Sequence, residues 1–328
     1  MNQRRLLVLM MGAGLAGNVG LLRAQTSTGS MRRVGVLAPS TRAKEEITLK
    51  PFFDEMRQLS WVEGQNIAYD RVYADDQQEL LPRLAAEMVA RKPELIFAPP
   101  SAAAVAAKQA TQSIPIVFAT SGDPVRVGLV KSLAHPGGNV TGISSAFEGL
   151  ASKRVQLLRE MMPAAKRLGF LADRTAYGAR LLASALEPVI TAYGMTMVFA
   201  EATNPLELDA AMARLAGERV HAVFAISDLA FNQRVRLIEL ANRDRVPVVG
   251  QRAQVADAGG LFSYAPSLAR QLRRSAQMVD KVLKGAKPAD LPVEQPTTFE
   301  LVINQKTAKA LGIQIPQSIL LRADRVIE

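Results

Sequence analysis

The feature that most constrains the fold is a regular alternation of short apolar runs with amphipathic segments, which starts near residue 32. The first apolar runs are residues 34–38, 67–73, 95–98, 116–119 and 140–144, and helical patterns at 49–59, 80–90 and 101–111 lie between them. Continuous apolar runs indicate strands buried on both faces, and helices between them are typical of a parallel sheet. The first half of the chain therefore predicts one doubly wound α/β lobe.

The second half repeats the same pattern. A new series of helices and strands begins at residues 152–161 and 168–171, includes a helix at 229–242 and continues to a strand at 246–249. The tail adds a strand at 260–264, a helix at 268–283, a proline-rich stretch and a final strand-helix-strand. This tail is too short for a third lobe and is expected to cross back between the first two. The predicted fold class is α/β, with two doubly wound Rossmann-like lobes and a cleft between them.

The N-terminal segment has the composition of a secretory signal peptide. Arg4 and Arg5 precede an apolar stretch at 6–22, which ends at Leu22-Arg23-Ala24. The pattern predicts a signal peptide at residues 1–24, cleaved near Ala24, and a mature protein that works outside the cytoplasm. An uncleaved anchor helix is the alternative, although four glycines within the stretch weaken it as a membrane span.

The signal segment also contains GAGLAG at residues 12–17, which matches the dinucleotide fingerprint GxGxxG. That motif requires a preceding strand and an acidic residue about 20 positions later. No strand is predicted before Gly12, and the first acidic residue of the chain is Glu45. We therefore expect no nucleotide site there.

Composition narrows the class of protein. The chain has no cysteine, which excludes disulfides, thiol nucleophiles, thiolate metal sites and a lipid-anchoring cysteine after the signal. An exported protein without a lipid anchor diffuses freely and is retained only inside an outer barrier, which indicates a Gram-negative periplasm. The formal net charge is +10, but the basic residues are scattered along helical faces, which indicates a solvated surface and no nucleic-acid partner.

The usual catalytic patterns are missing from the sequence. Its two histidines are His135, in a Pro-Gly turn, and His221, just before an apolar run. No GxSxG, HExxH or GxxxxGK motif occurs. An enzyme is therefore poorly supported, and we expect neither a cofactor nor a bound metal.

Polar loops follow the predicted strands of the first lobe. Ser40 follows the first strand, Ser101 the third, and Ser121 and Asp123 the fourth. Ligands of doubly wound sheets bind just outside these carboxyl ends. Ser101 is placed to cap the helix at 101–111, so it is either a plain N-cap or part of a carboxylate site. Asp123 is equally well explained as the initiator of an Asp-Pro turn.

The predicted second lobe offers acids and aromatics at the equivalent positions. Asp173, Tyr177 and Asp228 follow its strands, and Tyr264 lies at the expected crossover. The two carboxylates would suit a ligand ammonium group, or they could be helix caps. Hydroxyls on one lobe and acids with an aromatic on the other make an amino-acid-like ligand plausible.

Several longer motifs carry a family resemblance. They are IPIVFA at residues 114–119, GDPV at 122–125, GLV at 128–130, PGGNVTG at 136–142 and LKGAKPADLPVEQP at 283–296. Over residues 33–327 the chain resembles the ABC-transporter substrate-binding proteins that include tryptophan and tyrosine uptake receptors. The motifs are specific for the family but not for a ligand.

The resemblance implies a type I periplasmic-binding fold, with two lobes joined by three crossovers near residues 144–149, 263–266 and 291–294. The lobes would comprise residues 31–145 plus 266–290, and 146–265 plus 291–328. By the same resemblance, Ser40, Ser101 and Ser121 would hold a ligand carboxylate, and Asp123 lies in the family's Asp-Pro-Val motif. Ala265 replaces a glycine frequent in relatives, which would stiffen the hinge.

The implied function is a periplasmic receptor that captures a small molecule in the cleft and delivers it to an ABC permease and its ATPase. We expect a monomer that touches the membrane complex only peripherally. An exported sensor that signals to a membrane receptor is an alternative that the sequence leaves open. An exported enzyme on the same fold is less well supported.

Overall fold

The computed structural model describes residues 31–145, 148–173 and 179–328. The predicted signal peptide lies outside these residues. The described strands form two separate sheets. The first sheet contains β1 (Arg32–Ala38), β2 (Ile67–Tyr73), β3 (Leu95–Phe97), β4 (Ile116–Ser121) and β5 (Val140–Ser144), and its helices are α1 (Arg42–Thr48), α2 (Lys50–Gln58), α3 (Leu81–Ala90) and α4 (Ser101–Ala110).

The first sheet is parallel throughout, with strand order β2-β1-β3-β4-β5. Its strands are buried on both faces: Val34 and Val36 belong to one apolar cluster, and Leu37 of the same strand belongs to another. The order reverses between β1 and β3, so the loops that follow these two strands diverge and leave a crevice.

The second sheet is assembled from the rest of the chain. Its first elements are α5 (Glu148–Met161), β6 (Arg167–Asp173), α6 (Ala179–Ala192), β7 (Thr196–Ala202), α7 (Pro205–Gly217), β8 (Ala222–Ala225), α8 (Asp228–Asn232), α9 (Arg234–Arg243), β9 (Val248–Gly250), α10 (Ala253–Asp257) and β10 (Phe262–Pro266). The tail supplies α11 (Leu268–Leu283), β11 (Phe299–Asn304), α12 (Gln305–Leu311), α13 (Gln317–Leu320) and β12 (Arg325–Ile327).

The second sheet has the order β12-β11-β10-β9-β8-β6-β7. Strands β6 to β10 are parallel and repeat the order of the first sheet, with a reversal between β6 and β8. Strand β11 runs antiparallel to β10, and β12 runs parallel to β11. The predicted architecture of two parallel α/β lobes is confirmed.

Helix α11 returns from the second sheet to the core of the first. Leu272, Ala276 and Val279 lie one helical turn apart and are buried in the same cluster as Phe52 and Phe97. This spacing gives the helix one apolar stripe. The chain therefore passes from β10 of the second lobe directly to a helix of the first.

The connecting segments run beside one another. Glu294, on the way from α11 to β11, donates its amide to Gly142 O at 3.0 Å and accepts from Ser144 N at 2.8 Å. Gln271 Nε2 of α11 donates to Ser145 Oγ at 2.7 Å, just after β5. Three crossovers thus meet at the carboxyl ends of β5 and β10, and the carboxyl edges of both sheets lie next to them.

Some predicted helix bounds were wrong. The helix expected at 49–59 is α2, with Pro51 in its first turn, but the separate helix α1 before it was not predicted. The helix expected at 229–242 is divided at Gln233 into α8 and α9, and the five-residue α10 was not predicted. None of the described helices is long and apolar enough to cross a membrane.

Candidate functional site

The candidate site lies at the carboxyl edges of the two sheets, where each strand order reverses. In the first sheet the loops after β1 and β3 carry Ser40 and Ser101. In the second sheet the corresponding strand ends, at β6 and β8, carry Asp173 and Asp228. Three of the four residues follow their strands as expected, whereas Asp173 is the last residue of β6, and the topology adds that all four lie at switch points.

Ser40 is buried, and its hydroxyl has a defined partner. Its Oγ donates to Asp76 Oδ1 at 3.1 Å, and Lys44 Nζ binds Asp76 Oδ2 at 2.7 Å. Asp76 has a left-handed backbone with φ of 64°, and its amide donates to Pro39 O. Because a serine hydroxyl carries one proton, Ser40 can only accept a further hydrogen bond from a ligand in this arrangement.

Ser101 joins the ends of β3 and β4. Its Oγ accepts from Gly122 N at 3.2 Å, and Gly122 O accepts from Ser144 Oγ at 3.0 Å. The expected N-cap role was wrong, since Pro100 is the N-cap of α4 and Ser101 is the first helical residue. Ser121 is the last residue of β4 and pairs with Ser144; the side chain of Ser121 is not among those described.

Asp123 stabilises the turn in which it lies. Its Oδ1 accepts from the amides of Val125 at 3.1 Å and Arg126 at 3.0 Å, and its Oδ2 accepts from Arg126 Nε at 3.2 Å. The side chain is 40% exposed. These contacts are those of a turn initiator, one of the two roles that the sequence allowed.

The second-lobe acids occupy strand and helix ends. Asp173 is the last residue of β6 and is buried. Asp228 is the first residue of α8, whose cap is the neighbouring Ser227, with its Oγ accepting from Ala230 N at 3.0 Å. The side chain of Asp228 and the whole of Tyr177 lie outside the described parts of the structure.

Tyr264 lies in β10, where that strand leaves the sheet. Its ring is half-buried and packs 5.8 Å from the ring of Phe299, and its carbonyl oxygen accepts from Arg154 Nε at 2.8 Å. The neighbouring Ser263 is fully buried, and no described group hydrogen-bonds its hydroxyl.

Arg154 was missed by the sequence reasoning. It is buried in α5, and burial lowers its pKa to about 10. The signal was its position: it shares a helical face with Ala151, Val155 and Leu158, which are all buried apolar residues. A cation on the apolar face of a helix is unusual, because a charged side chain is almost never buried without a partner.

Two further arginines lie at the same edge of the second sheet. The guanidinium carbons of Arg252, after β9, and Arg234, in α9, lie 4.3 and 5.1 Å from the ring centroid of Phe231. Stacking on an aromatic face holds a guanidinium group in place. This edge of the second lobe therefore carries fixed positive charge as well as acids.

Two cavities lie at the opposite, amino-terminal edges of the sheets. One of about 470 Å³ includes Arg32, Glu94 and Gly138, and another of about 390 Å³ includes His221 and Arg245. Neither contains a candidate residue. Within the described residues there is no cluster of three or more side chains suited to a metal ion.

The family assignment follows from a comparison over nearly the whole described chain. The family model for ABC transporter substrate binding proteins matches residues 34–327. The chain belongs to this family. As a substrate-binding protein of the ABC type it binds a small molecule, and the expectation drawn from the resemblance is confirmed at that level.

Relatives of this substrate-binding protein show the same architecture. The ABC domain of Streptococcus pneumonia in complex with L-Trp is 26% identical, with a TM-score of 0.85, over 91% of this chain and 100% of that one. A conserved domain protein from Vibrio cholerae O1 biovar eltor is 27% identical, also with a TM-score of 0.85, over 90% and 99% of the two chains. A tyrosine-binding protein of Clostridioides difficile (strain R20291) is 24% identical over 88% of this chain and 84% of its own length. The type I periplasmic-binding fold is thereby confirmed.

Proposed function

We propose that this protein captures an amino acid with an aromatic side chain between its two lobes and delivers it to an ABC permease and its ATPase. The observation that carries the proposal is the pair of switch points at adjacent carboxyl edges, each lined with polar side chains. Tyrosine and L-Trp, named for two relatives, support the ligand class. The proposed contacts are Ser40, Ser101, Ser121, Asp173, Tyr177, Asp228 and Tyr264, whereas Asp123 is proposed to support the site through the turn that its carboxylate holds.

Capture would proceed by closure of the lobes about the crossovers. We place the lobe boundaries at 31–145 plus 266–290 and at 146–265 plus 291–328. A ligand that touches both carboxyl edges makes its full set of contacts only in the closed form, so it shifts the population toward closure. No covalent chemistry is required.

Calorimetric titration tests the ligand class. The exported form of the protein is titrated with L-tyrosine, L-tryptophan and L-phenylalanine, and with L-leucine and D-tyrosine as matched controls. The proposal expects saturable binding of at least one aromatic L-amino acid, at least about tenfold tighter than either control. Preference for L-leucine, or no binding of any of the three aromatic acids, would contradict it.

Solution scattering tests closure. Saturation with the bound amino acid should reduce the radius of gyration of a monomer, with the molecular mass unchanged. A ligand complex with the same dimensions as the free protein would rule out lobe closure. A mass of two chains would rule out the proposed monomer.

Export and transport need separate tests. Cell fractionation and N-terminal sequencing should find a periplasmic protein that begins close to Gln25. Deletion of the gene should abolish uptake of the labelled amino acid, and the intact gene should restore it. Normal uptake in the deletion strain would favour the sensing role over the transport role.

A further inference from the structure

Arg154 is a buried cation without an acidic partner in the described residues. Only 5% of its surface is exposed. Its single hydrogen bond to described groups runs from Nε to the carbonyl oxygen of Tyr264. Its Nη1 and Nη2 atoms bond to none of the described residues, and no described carboxylate forms an ion pair with it. Removing a guanidinium group from water without an anion is costly.

Arg154 is held at the carboxyl edge of the second sheet, just past the end of β9. Pairing between β9 and β10 ends at Gly250 and Ser263, and Tyr264 is the next residue of β10. The carbonyl that accepts from Arg154 therefore lies past the end of β9, at the carboxyl edge of the second sheet. Helix α5 itself starts directly after the first crossover. Arg154 thus lies at the base of the candidate site, between two crossovers.

A guanidinium group binds anionic groups, and carboxylates in particular. It has five N–H donors in a planar fork, no acceptor, and a geometry that matches a carboxylate at two points. With Nε used by Tyr264, the two Nη atoms remain for such a contact. An arriving carboxylate would supply the missing counter-charge at this buried position.

The carboxyl edge of the first sheet favours the other charged group of an amino acid, the ammonium group. The hydroxyl proton of Ser40 is donated to Asp76, so Ser40 offers a ligand only an acceptor. Lys44 compensates the charge of Asp76, so the preference rests on the Ser40 oxygen, which as an acceptor suits an ammonium group and does not suit a ligand carboxylate. The two edges together therefore favour a ligand with its ammonium group toward Ser40 and its carboxylate toward the second lobe.

We infer that Arg154 is the carboxylate-binding residue of the cleft and restricts the ligands to amino acids and related organic acids. The inference deepens the proposed function and rests on it. It also reverses the assignment by resemblance, in which Ser40, Ser101 and Ser121 hold the carboxylate.

The test compares acids with their amides. The probes are L-tyrosine with L-tyrosinamide and L-tryptophan with L-tryptophanamide, titrated calorimetrically into the wild type, Arg154→Gln and Arg154→Lys. Arg154→Gln removes the charge but keeps an N–H donor for Tyr264, and Arg154→Lys keeps the charge. Arg159→Gln is the matched control, because Arg159 lies on the same helix and donates to carbonyl oxygens at its far end.

The wild type should bind the acid about 10- to 100-fold more tightly than the amide, as expected for a hydrogen-bonded charge. Arg154→Gln should weaken acid binding by a similar factor and leave amide binding within about threefold. Arg154→Lys should fall between the two, and Arg159→Gln should match the wild type. If Arg154→Gln does not fold, the inference is decided by two other measurements. These are the preference of the wild type for the acid over the amide and the reduction of that preference in Arg154→Lys.

Equal losses for acid and amide would overturn the inference and leave Arg154 as a residue that positions Tyr264. Unchanged discrimination in both Arg154 variants would also overturn it. In either case the wild type still binds an aromatic amino acid, so the proposed function stands. Failure of the wild type to bind any probe would instead overturn the proposed function and the inference with it.

Discussion

Arg274 and Glu294 form a two-point ion pair, with Arg274 Nη2 2.7 Å from Glu294 Oε1 and Arg274 Nε bonded to Oε2. Arg274 lies on α11, and Glu294 lies on the crossover that also pairs with β5. The hydrogen bond that Arg274 donates to the Glu294 carboxylate raises the pKa of Arg274. The pair fastens one of the segments between the lobes to the first lobe.

Arg274→Gln should lower the free energy of unfolding by about 1 kcal/mol, because both partners are partly exposed and the pair has two-point geometry. Denaturant titration measures the change. Arg273→Gln is the control, since Arg273 is exposed on the same helix and carries the same charge. Equal effects of the two substitutions would show that net charge, and not the contact with Glu294, matters.

Gly142 has no room for a side chain. A Cβ added there would lie 2.2 Å from the carbonyl oxygen of Phe118 and 2.6 Å from its ring. Gly142→Ala should therefore destabilise the protein by about 1–3 kcal/mol, because β5 must shift to make room. The shift would also disturb the backbone hydrogen bonds between β5 and Glu294. Thermal unfolding measures the loss. Gly138→Ala, at a position with nothing within 4 Å, should be near neutral, and similar melting points for the two variants would refute the steric argument.

Asp123 is expected to act on the stability of its turn more than on affinity. Asp123→Ala removes the acceptor of two backbone amides and should cost about 1 kcal/mol of unfolding free energy. Asp123→Asn keeps Oδ1 and should recover most of it, and both variants should bind ligand within about twofold of the wild type. Paired denaturation and calorimetry measure the two effects. A large affinity loss in both variants would instead assign Asp123 to the ligand.

Tyr69 in β2 has a buried hydroxyl to which no described group hydrogen-bonds. Burial raises the pKa of Tyr69 above its ordinary value of about 10. The unfolded chain therefore ionises first, so the contribution of Tyr69 to stability is present below about pH 10 and is lost as the pH rises through the folded pKa. Absorbance titration of tyrosine ionisation measures this step. The wild type should show one most alkaline step that is absent from Tyr69→Phe.

The same variant should be more stable by about 1 kcal/mol near neutral pH, because it removes an unsatisfied polar group. Tyr193→Phe is the control, taken from a half-buried ring of the second lobe. An early titration step for Tyr69, or a clear loss of stability in Tyr69→Phe, would mean that the hydroxyl has a partner such as a bound water.

Most strands could be predicted from the sequence because their apolar runs are buried on both faces. Residues 95–97 and 116–118 illustrate this, since each is fully buried. Helix α10 was not predicted, because five residues are too few to show a helical period. The break at Gln233 left no proline or glycine signal, so α8 and α9 were predicted as one helix.

The place of the candidate residues could be predicted, but their partners could not. Strand order places Ser40 and Asp173 at carboxyl ends, and this follows from the alternation alone. The partner of Ser40 is Asp76, 36 residues away, and the partner of Ser101 is the amide of Gly122. Such contacts depend on loop conformation, for which the sequence has no periodic signal.

The return of α11 to the first lobe makes the folding of that lobe depend on residues near the other end of the chain. Its buried residues Leu272, Ala276 and Val279 complete the layer over Phe52 and Phe97, which are made some two hundred residues earlier. A chain that ends before about residue 280 leaves this apolar surface exposed, so the first lobe cannot complete its core ahead of the rest. That lobe becomes native only after α11 has emerged and packed against it.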